Sequence, residues 1–128
     1  MKALVVDDSS GVREMLAQHL TQLGFHVEQA ASGFEALAKA QSIDQLAVML
    51  LDWTMPGMDG LELLRRVRAD GRYDAVPLVI VAGDGELQFM AEALEAGASE
   101  CLVKPFDAQT LLEKLLLLGV DPEQRRAA

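Results

Sequence analysis

The 128-residue chain is 51% hydrophobic and 24% charged, which excludes a disordered segment and leaves room for one domain with a real core but not for two comfortable ones. Its formal net charge of -9 argues against direct nucleic-acid binding, because phosphate contacts need clustered Lys and Arg; it suits a protein that meets cations or basic partner surfaces. Cys101 stands alone, so an internal disulfide or a cysteine metal cluster is excluded; no signal-like segment follows Met1-Lys2 and no apolar run approaches the roughly 20 residues of a membrane helix, so a reducing cytoplasm is expected and a membrane is not.

Lys2 to Val6 reads as a first strand running straight into Asp7-Asp8. Ser9 or Ser10 then caps a helix near Gly11–Leu23, with Glu14 in its first turn and Gly24 as its stop. Val12, Met15, Leu16, Leu20 and Leu23 share one face, with His19 at the rim as a core-edge residue. Phe25 to Gln29 alternates like an edge strand, with His26 on its solvated side. Ser32-Gly33 opens a second helix to about Gln41, with Phe34, Leu37 and Ala38 on one side.

The third strand, Val48-Met49-Leu50-Leu51, ends abruptly on Asp52, and Pro56, Gly57 and Gly60 shape a tight exit loop. A third helix spans Gly60 to Arg68, where Arg65, Arg66 and Arg68 read as a solvated face, and Gly71 marks the exit. Pro77 opens the fourth strand, Leu78-Val79-Ile80-Val81, followed by a flexible Gly83-Asp84-Gly85 connection. A fourth helix covers about Glu86–Ala96, stopped by Gly97, and a fifth strand, about Glu100–Val103, ends at Lys104-Pro105. The last helix, about Ala108–Leu118, carries a stripe of Leu111, Leu112, Leu115, Leu116 and Leu118, while Leu117 falls on the polar arc. Residues 1–119 thus read as one domain, and 120–128 as a polar, frayed tail.

Strict alternation of five strands with five helices predicts a doubly wound α/β fold with a parallel sheet. Ligands of such sheets gather outside the strand carboxyl ends, so Asp7, Asp8, Asp52 and Lys104 should converge on one edge. Crowded carboxylates repel and raise each other's pKa unless a cation neutralises them. Hard oxygen donors with open positions suit Mg²⁺, or the similar Mn²⁺. Beside such an ion Asp52 could attack phosphorus and form an acyl phosphate, Lys104 offsetting charge on the phosphoryl oxygens and Gly83 leaving room for the donor. No general base for turnover is evident.

On the acidic pair Asp7-Asp8, the segment Leu51-Asp52-Trp53-Thr54-Met55-Pro56-Gly57-Met58-Asp59-Gly60, the Gly97-Ala98 step and Lys104-Pro105-Phe106, the chain resembles a response-regulator receiver domain of the single-domain chemotaxis type, from Lys2 to about Leu118. The resemblance implies a flavodoxin-like sheet of order 2-1-3-4-5. It implies Asp52 as acceptor of a phosphoryl group from a histidine kinase or histidine phosphotransfer protein. Asp7, Asp8, Asp52 and the Thr54 backbone carbonyl would hold Mg²⁺, Lys104 would contact the phosphoryl group, and the Lys104–Pro105 peptide would be cis. Signalling would pass to a protein target, or to a second copy in a homodimer, through the face made by the fourth helix, fifth strand and fifth helix. Such a protein is a phosphoacceptor with slow autodephosphorylation, not a turnover enzyme; Thr54 and Asp84 flank the site and could tune those rates.

Two positions depart from the family pattern. Ala82 stands where receivers usually carry Thr or Ser, and Cys101 where they usually carry Tyr or Phe. A methyl cannot donate a hydrogen bond, so the usual coupling of phosphate to the fourth helix is in question. The alternative is a pseudo-receiver that binds its partner regardless of phosphorylation. An aspartyl-nucleophile phosphatase fits less well, because Thr54 occupies the position of that class's acid/base Asp. A flavodoxin-type protein would need a Ser/Thr/Gly phosphate loop after the first strand.

Overall fold

The computed structural model describes residues 1–122. Strands β1 (Lys2–Val6), β2 (His26–Ala30), β3 (Leu46–Asp52), β4 (Leu78–Ala82) and β5 (Glu100–Val103) alternate with helices α1 (Ser10–Gln22), α2 (Gly33–Ser42), α3 (Gly60–Arg68), α4 (Met90–Glu95) and α5 (Ala108–Leu117). All strand pairs are parallel, and the order is β2-β1-β3-β4-β5, as expected. Among the described residues no helix is long and apolar enough to cross a membrane.

The two-residue period of a strand divides the core. Leu4, Val6, Met49, Leu51, Leu78 and Ile80 face α2, α3 and α4, where Ala36, Leu63, Leu64 and Ala93 meet them. Ala3, Val5, Val48, Leu50, Val79 and Val81 face α1 and α5, against Leu16, Leu20, Leu111 and Leu115. Central strands buried on both faces explain the unbroken apolar runs.

Side-chain caps start most helices. Ser9 accepts from the Val12 N–H, Ser32 from Glu35, Asp59 from Glu62 and Asp107 from Thr110. With Ser10 already helical, Glu14 lies beyond the first turn of α1, which holds no acid. The α1 stripe is narrower than its sequence suggests: Leu16 and Leu20 are buried, whereas Met15 is exposed. In α2 the inward face is Gly33, Ala36 and Ala40, not Phe34 and Ala38, which both lie exposed. The reason is close approach: a Cβ on Gly33 would lie 2.6 Å from Met58 Sδ, so only small residues fit against the loop before α3.

Arg68 departs from the solvated run of arginines. It is half-buried and donates to Gly97 O (2.8 Å), Tyr73 O (2.7 Å) and Ser99 Oγ (3.2 Å), tying α3 to the turn before β5. Arg66 instead pairs with Glu62 one turn back. The fourth helical stretch starts as a 3₁₀ segment, Asp84–Phe89, and becomes α only at Met90. Gly83 and Gly85 disfavour a regular helix start there. In α5 Leu111 and Leu115 are buried, but Leu116 is exposed together with Leu117. Val120 turns back into the core, its N–H bonded to Leu115 O at 2.8 Å. Asp121 is half-buried and Pro122 buried, so the start of the expected frayed tail is packed; 123–128 lie outside the described residues.

Candidate functional site

The carboxyl edge of the sheet brings together what the sequence scattered. Asp52 closes β3, paired with Val81 of β4, and Asp7 follows β1 directly. Asp7 is 1% and Asp52 7% exposed, and they are the buried charged residues of the described chain; Asp8 is exposed at the rim. Asp7, Asp8 and Asp52 each present a carboxylate oxygen within 4.8 Å of the others. Lys104, just past β5, places Nζ 3.5 Å from Asp52 Oδ1 and 3.7 Å from Asp7 Oδ2. Its peptide bond to the exposed Pro105 is cis.

Local bonds hold Asp7 in place. Its Oδ1 accepts from the Ser9 N–H at 2.9 Å, and its carbonyl from Arg13 Nη1 at 2.7 Å. Its Oδ2 is buried and accepts no hydrogen bond. A buried carboxylate oxygen with no hydrogen-bond donor and only a 3.7 Å ion pair to Lys104 is under-satisfied, and that cost falls when a further cation lies against it. For Asp52, burial and then the Asp7 charge, with a smaller push from Glu86, raise the carboxyl from 3.8 to about 6; Lys104 and the Thr54 backbone N–H pull the other way. Three hard carboxylates, one with a buried oxygen that accepts no hydrogen bond, fit a divalent cation of the Mg²⁺ class, which binds through few carboxylates and retains water.

The exit loop is fixed by backbone proximity. The Gly60 N–H bonds Trp53 O at 2.9 Å, and a Cβ on Gly60 would lie 2.4 Å from Asp52 O and 2.8 Å from Trp53 Cα. Gly57 holds a φ of +80°, a region that suits glycine. Trp53 itself is nearly buried and stacks on Phe89 at 6.0 Å with planes 17° apart.

At the second strand exit Ala82 is buried at the end of β4, opposite Val103, and Cys101 is half-buried in β5 opposite Ile80. Burial and the adjacent Glu100 push the Cys101 thiol up, so it stays protonated. Thr54 and Asp84 are exposed at the rim and Gly83 is half-buried. One residue escaped the sequence reading: Glu86. It accepts a hydrogen bond from the Thr54 hydroxyl through Oε2 and one from the Gly83 N–H through Oε1 at 2.8 Å. Its spacing of three from a glycine at a helix start resembles half of a capping box and was the only signal available.

Comparison with known proteins agrees with this geometry. The family profile described as Response regulator receiver domain matches residues 3–116. The chain is 41% identical over 123 residues to Chemotaxis protein CheY1 of Helicobacter pylori, a match covering 94% of this chain and 99% of that protein. It is 42% identical over 116 residues to the Chemotaxis protein CheY homolog of Campylobacter jejuni, covering 90% and 89% respectively. Among solved structures, the chemotaxis protein CheY4 of Vibrio cholerae superposes with a TM-score of 0.85 at 38% identity, covering 91% of this chain and 97% of that one.

Proposed function

This chain belongs to the response regulator receiver domain family, and from that premise we propose that Asp52 is the phosphoacceptor of a two-component or phosphorelay pathway. The observation that carries the reading is the buried Asp52 carboxylate with Lys104 at 3.5 Å and, beside it, the buried Asp7 Oδ2, which has no hydrogen-bond donor and only Lys104 at 3.7 Å. A carboxyl that titrates near 6 is ionised at neutral pH and so available as a nucleophile.

An Asp52 oxygen attacks the donor phosphorus as the bond from phosphorus to the leaving atom breaks. From a phosphohistidine whose other ring nitrogen carries a proton, the leaving nitrogen keeps the electron pair, so the donor returns to neutral imidazole. Lys104 offsets charge on the phosphoryl oxygens. Water later attacks phosphorus, releasing inorganic phosphate and restoring the Asp52 carboxylate. Asp7, Asp8, Asp52 and the Thr54 carbonyl would hold Mg²⁺, which when bound neutralises both the acid cluster and the transferred group. The donor on this reading is a histidine kinase or histidine phosphotransfer protein in the cytoplasm. The target docks on the α4–β5–α5 face, where Leu94, Leu116 and Leu117 are exposed; a second copy is an alternative occupant.

The buried Ala82 methyl and the Cys101 side chain favour one second reading, an interaction module indifferent to phosphorylation. Intact mass after incubation with acetyl phosphate, with and without Mg²⁺, tests the first: the wild type gains one phosphoryl group only with metal, and Asp52→Asn gains none. Partner binding unaltered by that substitution would decide for the second.

A further inference from the structure

Ala82 offers no hydroxyl to a phosphoryl group, yet a different side chain already bridges the two strand exits that such a group would enter. Asp52 pairs with Val81, so Thr54 and Gly83 each lie two residues beyond that pair, in the loops that leave two neighbouring strands. Glu86 joins them, one carboxylate oxygen on the Thr54 hydroxyl and the other 2.8 Å from the Gly83 nitrogen, while its own N–H bonds Gly83 O at 3.0 Å. We propose that Glu86 is a charge latch across the mouth of the Asp52 pocket, holding the two loops together before phosphorylation and expelled when a phosphoryl group arrives. The inference rests on the phosphoacceptor reading of Asp52.

Three observations support displacement rather than simple capping. Glu86 is close enough to Asp52 for its charge to act on that carboxyl. Phosphorylated Asp52 carries about two negative charges where the carboxylate carried one, and like charges at short range repel strongly. The segment that must yield is a 3₁₀ turn flanked by Gly83 and Gly85, and a Cβ on Gly85 would meet nothing within 4 Å. Phe89 ends that turn and stacks on Trp53, so release of Glu86 loosens a contact beside the acceptor. Glu86 thereby supplies, by repulsion, a coupling that the missing hydroxyl would supply by attraction. It is a positioning residue, since it acts on Asp52 through charge and through Thr54 and Gly83.

The test compares wild type, Glu86→Gln and Glu95→Gln with acetyl phosphate and Mg²⁺. Glu95 is exposed on α4 and removes the same unit of net charge away from the pocket. The latch predicts that Glu86→Gln is phosphorylated about fivefold faster at low ionic strength, an advantage that shrinks with salt, while Glu95→Gln stays near wild type. It also predicts that phosphorylation shifts Trp53 emission in the wild type and much less in Glu86→Gln. A glutamine can still accept the Gly83 N–H, so a purely capping role predicts no change in rate. Adducts forming at equal rates in all three proteins, with equal Trp53 responses, would overturn the latch alone. No adduct in any of them would overturn the latch together with the acceptor reading beneath it.

Discussion

Replacing Asp52 by Asn should stabilise the metal-free protein, and the gain should depend on pH in a defined direction. Burial and the neighbouring Asp7 raise the Asp52 carboxyl from 3.8 to about 6, so the folded state disfavours the ionised form. A displacement of that size corresponds to ~3 kcal/mol above pH 7. The pocket mouth is open to solvent on one side, so about 1–2 kcal/mol is the expected net effect after screening. Below 3.8 the carboxyl is protonated whether the chain is folded or not, and the penalty vanishes; it grows as pH rises and is complete above about 7. The assay is thermal unfolding of both proteins in chelator between pH 4 and 8. Asn at position 52 should melt about 3–10 °C higher at pH 8. The gap should close on acidification, and saturating Mg²⁺ should narrow or reverse it. Loss of the Lys104–Asp52 contact does not confound the comparison, because Lys104 retains Asp7 at 3.7 Å. A gap that is absent at pH 8, or that widens as pH falls, would refute the reasoning.

Asp7→Asn should abolish the stabilisation by Mg²⁺ expected of the wild type, about 2.7 kcal/mol at a hundredfold excess over the dissociation constant; a melting series with added metal measures it. Gly60→Ala should destabilise by about 1–3 kcal/mol in urea unfolding, because the new Cβ meets Asp52 O and Trp53 Cα, both main-chain atoms that cannot swing away. Arg68→Ala should cost about 2–4 kcal/mol in the same assay, since Gly97 O, Tyr73 O and Ser99 Oγ lose their donor together.

The sheet and its acid-lined edge were legible because three of the strands are short apolar runs that stop on a charged residue. Leu4-Val5-Val6 stops on Asp7, Val48 to Leu51 on Asp52, and Leu102-Val103 on Lys104, and parallel pairing then brings those stops together. Helix faces were harder. Hydrophobic spacing points Phe34 inward, but α2 approaches Met58 so closely that the inward positions belong to Gly33, Ala36 and Ala40. Leu116 was misplaced because periodicity cannot say how wide a stripe the sheet covers. Arg68 was hidden among surface arginines, since its partners come from residues 97 and 99 and only the fold brings them near.

Glu86 was illegible for a related reason. Its role depends on the exit loops of β3 and β4 meeting across the pocket, and on a 3₁₀ turn where the pattern suggested the start of an α-helix. A sequence reveals which residues end a strand more readily than which loops then lean on one another.

The central claim is that Asp52 itself forms an acyl phosphate. Borohydride reduces the carbonyl of such a mixed anhydride to the alcohol and expels phosphate, leaving homoserine in place of aspartate. Peptide mass mapping after incubation with acetyl phosphate, Mg²⁺ and then borohydride reads the position directly. The account predicts homoserine at position 52 alone, and none when Mg²⁺ is chelated. Homoserine at Asp7, Asp8 or Asp59, or at no position, would contradict it.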